Sequence, residues 1–318
     1  MGEENKEFNL KFIKNNWNWI LLAIIICFGF YLRAYHLDYP VVGYHNWKET
    51  HYLTEARNFA SEGFFKHGFF VPEHDYPNIA DDPSGVHADT FPITSIITAI
   101  AFKLFGPNLI SARIINILFS LATVLLFYFV LLQISEKKEI ALIGSFFAAI
   151  CPLFVFFSHN TQLINQGIFF IMLSLLFFLR WRKENSFRDL FLASLFFSLG
   201  MLTKYPYGII AVVFIFLLSL SKIKDILKNV RSPYIILSIL ILLLIPVWIL
   251  YMNVFLPKAS DNTAGVLSSS LIDIGVLFSS SFWTPFKSYL RDNYTFYGLF
   301  LFFLGLLYLF FHYVVCSN

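Results

Sequence analysis

Several things are missing from this chain. Cysteine is nearly absent: Cys27, Cys151 and Cys316 each stand inside an apolar run, where a thiol behaves as a small hydrophobe, so no disulfide framework is implied. The N-terminal stretch MGEENKEFNLKFIKNNWNWI mixes acids with lysines, and no small-residue cleavage pattern follows the apolar run after it. This reads as an uncleaved first span. No internal repeat and no low-complexity segment occurs, and the apolar runs carry almost no charge near their centres. Transporters place ionisable groups near mid-membrane and show repeated halves, so these two absences rank a transporter low.

What is present is apolar length. The chain is 58% hydrophobic with 40 Phe in 318 residues, more than the roughly half expected of a soluble domain. Apolar runs near spanning length occur at about 17–36, 110–133, 139–158, 162–181, 189–205, 206–221, 233–256 and 294–316. The composition predicts an all-α polytopic membrane protein with about eight transmembrane helices. Lys204 and Pro206 interrupt the pair at 189–221. The segment Pro92 to Phe105 is too short to span. Its Ile93, Ile96, Ile97, Ile100 and Leu104 recur at helical spacing, which predicts a helix in the membrane interface, started by Pro92 and stopped by Gly106.

Loop charge orients these spans. With the N-terminus inside, the inner segments hold 13 of the 23 Lys and Arg, among them Lys137, Lys138, Arg180, Arg182, Lys183, Arg188, Lys222, Lys224, Lys228 and Arg231. The short outer turn near His159 holds none, in line with the positive-inside rule. The expectation is therefore an integral protein of the cell membrane with a cytoplasmic N-terminus. One domain over 1–318 is expected, with outer loops at about 37–109 and 257–293. The chain stops directly after an apolar run, which reads as a form truncated at the C-terminus.

The first outer loop holds five of the eight His and nine of the 20 Asp and Glu. Within it, Lys48 to Glu62 places Tyr52, Ala56, Phe59 and Ala60 on one helical face, with Lys48, Glu55 and Glu62 largely elsewhere. Gly63 is a helix stop and Asn46 fits the N-cap. Glu49 stands three residues on, the spacing of a capping box, so its plainest role is to satisfy backbone N–H groups. The stretch DDPSGVHADTFP brings Asp81, Asp82, His87 and Asp89 together. His87 and Asp89 suit a divalent cation, against the plainer reading of solvated loop acids. Lys204, in GMLTKYPYG, either snorkels to the interface or faces a lipid phosphate. The turn FFSHNTQLINQG adds His159, Asn160, Gln162, Asn165 and Gln166, polar groups common at a span's end.

This order of features resembles the polyprenyl-phosphate-dependent membrane glycosyltransferases of the GT-C fold, of the protein mannosyltransferase and aminoarabinose transferase type. The marks are KETHY (Lys48 to Tyr52), HADTFP (His87 to Pro92), KLFG (Lys103 to Gly106), Arg113 opening the next span, and GMLTK (Gly200 to Lys204). The likeness runs from the first span to at least Pro206. It implies a GT-C-like helical bundle and an active site on the outer face. The family's first catalytic acid falls on Lys48, a departure, and its second on Glu49. His51 matches the family's His or Arg near the donor phosphate, and Asp89 lies beside its second acidic position.

The implied reaction moves a hexosyl or pentosyl group from a polyprenyl-phosphate donor to a hydroxyl of a protein, lipid or glycan. Glu49 would be the general base. Lys48, His51, Arg57 and Lys204 would take the donor phosphate, and His87 with Asp89 a divalent metal, the one cofactor implied. Nucleic acid is not an expected partner; membrane lipids are. The rival reading is a non-catalytic protein that binds or carries a polyprenyl lipid, and Lys48 in the acid's place is its main support.

Overall fold

In a bilayer every backbone polar group has to be satisfied internally, so long apolar runs become helices. The computed structural model describes residues 2–43, 46–65, 69, 71–72, 86–87, 90–255 and 279–316. They gather into two compact units, Met1–Thr263 and Ala264–Asn318. The expected single domain covers both. In the first unit the chain runs α1 (Gly2–Ala34), α2 (Asn46–Glu62), β1 (Val71–Pro72), β2 (Val86–His87), α3 (Ile93–Phe105), α4 (Leu109–Ser135), α5 (Lys138–Ile150), α6 (Pro152–Ser158), α7 (Leu163–Glu184) and α8 (Phe187–Thr203). A 3₁₀ turn (Tyr205–Ile209) follows, then α9 (Ile210–Leu217), α10 (Leu220–Lys228) and α11 (Pro233–Phe255). The two strands pair antiparallel, Val71 opposite His87. The second unit is described by α12 (Ser280–Cys316), which begins inside the stretch expected as the second outer loop.

Among the described residues four helices are long and apolar enough to cross a membrane: Asn16–Ala34, Leu109–Ser135, Leu163–Glu184 and Pro233–Met252. A fifth arises if α5 and α6, bent by 56° at their junction, count as one span. Pro152 causes that bend, since it has no N–H and its ring clashes with the carbonyl four residues back. The expected run at 294–316 lies within the 37-residue α12, while the two expected spans at 189–205 and 206–221 fall short. Helix α8 has 17 residues, and Lys204 with Pro206 turns the 206–221 run into a 3₁₀ turn and an eight-residue helix.

Polar side chains are buried far more often than in a soluble core, beside apolar ones such as Ile117, Val124 and Tyr128. On α4 the buried positions include Ser111, Asn116, Ser120 and Thr123, while Ile110, Leu118 and Ile134 are exposed. Small and polar side chains let helix backbones approach closely, and lipid solvates the large apolar ones. Gly200 shows how close: a Cβ there would lie 2.7 Å from Ile171 Cδ1 on α7. Helix α3 follows the same rule. It starts after Pro92 and stops at Gly106, as expected, but it buries Thr94, Ser95, Thr98 and Ala99. Its Ile100 and Leu104 are 46% and 69% exposed. Ile100 and Leu104 thus face outward, whereas Ile93 is buried and Ile96 packs against the Phe59 and Phe102 cluster, so only part of the expected stripe is left for the interface.

One buried cation joins the first span to the bent one. Arg33, at the end of α1, is 0% exposed. Its Nε donates to Ser120 Oγ at 2.8 Å, and its Nη1 donates to Gly29 O at 3.0 Å and to Ala149 O at 2.7 Å. The Phe154 ring lies 5.3 Å from the guanidinium. The Ala149 carbonyl belongs to the last turn of α5, where carbonyls lack helical partners and the helix dipole favours a cation. Arg33 therefore ties α1, α4, α5 and α6 together. Lysine has no planar fork with which to reach Ser120 and Ala149 at once, so Arg33→Lys should lower stability by about 1–3 kcal/mol. Thermal unfolding of the detergent-purified protein measures this, and an unchanged midpoint would show that the fork is dispensable.

Candidate active site

Helix α2 begins at Asn46, whose N–H bonds Gly43 O at 3.3 Å. It stops at Gly63, where φ is +90°, a backbone state that glycine adopts freely. Its apolar residues pack as the pattern predicts: Ala56 and Phe59 lie against Ala99 and Phe102 of α3 and Ala112 of α4. Two carboxylates are buried on the same helix, and each has its own partners.

Glu49 is 1% exposed. Arg113 holds it with two parallel bonds, Nε to Oε1 at 2.9 Å and Nη2 to Oε2 at 3.0 Å. The Thr161 N–H donates to the same Oε1 at 3.1 Å. Arg113 Nη1 reaches back to the carbonyl of Leu37 at 2.9 Å and to that of Tyr39. One ion pair thereby joins α2, the chain leaving α1, the start of α4 and the turn between α6 and α7. The capping-box reading of Glu49 is corrected here. Asn46 Oδ1 accepts from the neighbouring Trp47 N–H, and the Glu49 carboxylate is taken by a cation on another helix.

Glu55 is 5% exposed, although the helical wheel placed it away from the packed face. Ser95 Oγ of α3 donates to its Oε2, and His51 Nε2 lies 3.2 Å from its Oε1. The burial follows from α3 presenting serine and threonine where a soluble helix would present leucine. Lys48, His51 and Glu55 share one face of α2 at i, i+3 and i+7. The Lys48 Nζ stands 5.2 Å from the Trp47 ring centroid.

A buried polar chain runs on from Glu49. Asn116 Nδ2 donates to Thr161 Oγ1 at 3.4 Å, Gln166 Nε2 to Asn116 Oδ1 at 3.0 Å, and Thr94 Oγ1 to Gln166 Oε1 at 3.3 Å. The turn FFSHNTQLINQG, weak in the sequence, is thus part of the interior. His159 is half-buried with Nε2 3.3 Å from Leu32 O. Burial pushes its imidazole below the usual 6.5; the Leu32 carbonyl opposes this, and the charges of Arg113 and Arg33 add to it.

Glu49 and Arg113 line a cavity of about 600 Å³, with Tyr35 and His36 just after α1, Phe156 of α6 and His159 in the turn after it. Of the residues expected to bind the donor phosphate, Lys48, His51, Arg57 and Lys204 do not line it. Arg57 is exposed on a second groove of about 360 Å³ with Thr50, Thr54 and Asn108. Lys204 caps α8, and the Phe91 N–H to Leu202 O bond of 2.9 Å brings the segment before α3 to that end of α8. His87 has its backbone in β2, but its side chain and all of Asp89 lie outside the described residues. Among the described residues no three His, Cys, Asp or Glu side chains converge as metal ligands. Sequence reasoning missed Glu55, Ser95, Asn116 and Thr161 as parts of the site. It took Arg113 only as a family mark. The available signals were the His51–Glu55 spacing and an arginine in an apolar run, which needs a partner.

Removing one partner leaves a buried charge alone. Arg113→Met should destabilise by about 3–5 kcal/mol, and adding Glu49→Gln to it should recover part of that loss. A double-mutant cycle on thermal unfolding in detergent measures the coupling; simple additivity would dissolve the pair. His159 gives a pH dependence. Its folded pKa is depressed, so the unfolded chain binds more protons near and below 6.5. Its contribution is complete above the unfolded value near 6.5 and is lost as pH falls from there toward the lowered folded value. The His159→Gln variant should show a flatter decline in unfolding midpoint over that interval; an identical slope would count against it.

A family model for dolichyl-phosphate-mannose-protein mannosyltransferases matches residues 86–251, just over half of the 318-residue chain. An uncharacterized protein of Aquifex aeolicus is 27% identical over 235 residues, covering 73% of this chain and 42% of that protein. The chain thus spans about two fifths of the length of that curated relative. No solved structure matches. The matched region, 86–251, holds Arg113, the buried amides of α4 and α7 and Lys204, and does not reach α2, which ends at Glu62. The chain belongs to the dolichyl-phosphate-mannose-protein mannosyltransferase family, membrane glycosyltransferases of the GT-C type.

Proposed function

We propose that this chain transfers a sugar from a polyprenyl-phosphate donor to a hydroxyl of a protein, lipid or glycan at the outer membrane face. The observation that carries the reading is α2, which buries two carboxylates and sets cationic side chains beside them, next to the first span. A base takes the acceptor's proton and the freed oxygen attacks the anomeric carbon. The bond from that carbon to the phosphate oxygen breaks, and its electron pair leaves on the polyprenyl phosphate. Cations nearby stabilise that charge.

Glu49 is the proposed base because it alone of the two carboxylates lines the large cavity. Arg113 is its positioning residue. Lys48, His51 and Lys204 are proposed for the donor phosphate from outside the walls of that cavity, and Arg57 from the second groove. A divalent cation at His87 and Asp89 stays a proposal, and no step depends on it. The bidentate grip of Arg113 favours a second arrangement. There Glu49 is architectural, and His51, oriented by Glu55 at 3.2 Å, handles the proton, as a carboxylate-held imidazole can.

Sugar transfer in liposomes with labelled polyprenyl-phosphate sugars separates these. Loss of about 10²–10⁴-fold in Glu49→Gln, with the fold retained, makes Glu49 the base. A comparable loss in Glu55→Gln and His51→Gln, with Glu49→Gln active, moves the chemistry to the second pair. Retained lipid binding with no turnover of any donor returns the chain to the carrier reading.

A further inference from the structure

We propose that α10 is a membrane-surface anchor that binds the headgroups of anionic phospholipids. Projected at 100° per residue, Leu220, Ile223, Ile226 and Leu227 occupy one arc of the helix, and Ser221, Asp225 and Lys228 the other, with Lys222 and Lys224 at the two borders. The bundle covers only one edge of the apolar arc. Ile226 packs against the cluster of Phe178, Trp181 and Ala193. On the same edge Lys222 Nζ bonds Asn185 Oδ1 and stands 5.7 Å from the Trp181 ring centroid.

The other edge is open: Leu220 is 78% and Leu227 66% exposed. Exposed Lys224 and Lys228 flank them, and Arg231 follows. Ile215 and Phe216 at the end of the preceding α9 are exposed as well. Position along the chain sets the height. The apolar α9 precedes α10, and the span Pro233–Met252 begins five residues after it, so α10 lies where hydrocarbon meets water. A leucine edge bordered by lysines at that height fits an acyl chain with an anionic headgroup above it. The surroundings add to the charge: Lys183 of the same end bonds Glu136 at 3.0 Å, which brings Lys137 and Lys138 to that side.

The full-length protein would be reconstituted in phosphatidylcholine nanodiscs holding a small fraction of spin-labelled phosphatidylglycerol. The immobilised lipid fraction would be compared with that for spin-labelled phosphatidylcholine. Wild type should show a several-fold preference for phosphatidylglycerol. The triple change Lys224→Gln, Lys228→Gln, Arg231→Gln should bring it toward unity, and Lys224→Arg with Lys228→Arg should keep it. No preference in wild type, or the same preference in the triple variant, overturns the proposal. A second measurement guards against misfolding, with the native cysteines changed to serine. A nitroxide at Leu227→Cys should be relaxed by oxygen, and one at Ser221→Cys by a water-soluble nickel complex. Access of nickel to position 227 would mean that a soluble partner or water, not lipid, meets this face.

Discussion

Burying an arginine and a glutamate together is costly unless each is saturated, and the architecture around α2 depends on meeting that condition. Arg113 uses its guanidinium on two carboxylate oxygens and two backbone carbonyls, and Glu49 gains a backbone N–H as well. The pair and its partners come from four stretches of the chain, around residues 37–39, 49, 113 and 161. A half-satisfied version of the network would leave charge in low dielectric, so only one mutual placement of these stretches is tolerable. Whatever chemistry α2 supports, its position is set by this pair.

The bilayer imposes the second constraint. Lipid solvates leucine and phenylalanine as well as a protein core does, so association of helices has to come from close packing and polar contacts. That is why Ser95, Thr98, Asn116, Ser120 and Gln166 face inward while Ile100, Leu118 and Phe216 face out. Helix α3 shows the result most plainly. Its serine face receives the Glu55 carboxylate, and Ile100 and Leu104 are left exposed.

These constraints bear on the departure at Lys48. The family pattern puts an acid there, and this chain puts a half-buried lysine beside Trp47. Two buried carboxylates remain on the same helix, one facing the cavity and one bonded to an imidazole. On the proposed reading these two carboxylates take on the work that the missing acid leaves open. The far end of the bundle is organised differently. There Lys222, Asn185 and Trp181 pin a short basic helix at the base of a span.

Much of the fold was legible because apolar length, proline, glycine and loop charge act locally. Pro92 and Gly106 bracket α3, Gly63 ends α2, and the apolar runs at 110–133, 162–181 and 233–256 are helices close to those bounds. The bend at Pro152 and the short pieces after Lys204 were less legible, since a hydropathy run does not record where a backbone breaks. The site was only partly legible. Glu49 and His51 stood out by motif, but the cavity facing Glu49 excludes Lys48, His51, Arg57 and Lys204 from its walls. Spacing along one helix says which residues share a face and nothing about what that face meets. Glu49 looked like a cap until Arg113, 64 residues on, was folded against it. By itself the sequence determined a polytopic helical membrane protein with its charge sorted to the ends of its spans, because transfer to lipid depends on composition over a short window. Only the tertiary structure decided which charges pair, because a buried ion pair is stable only where distant backbone converges to saturate it.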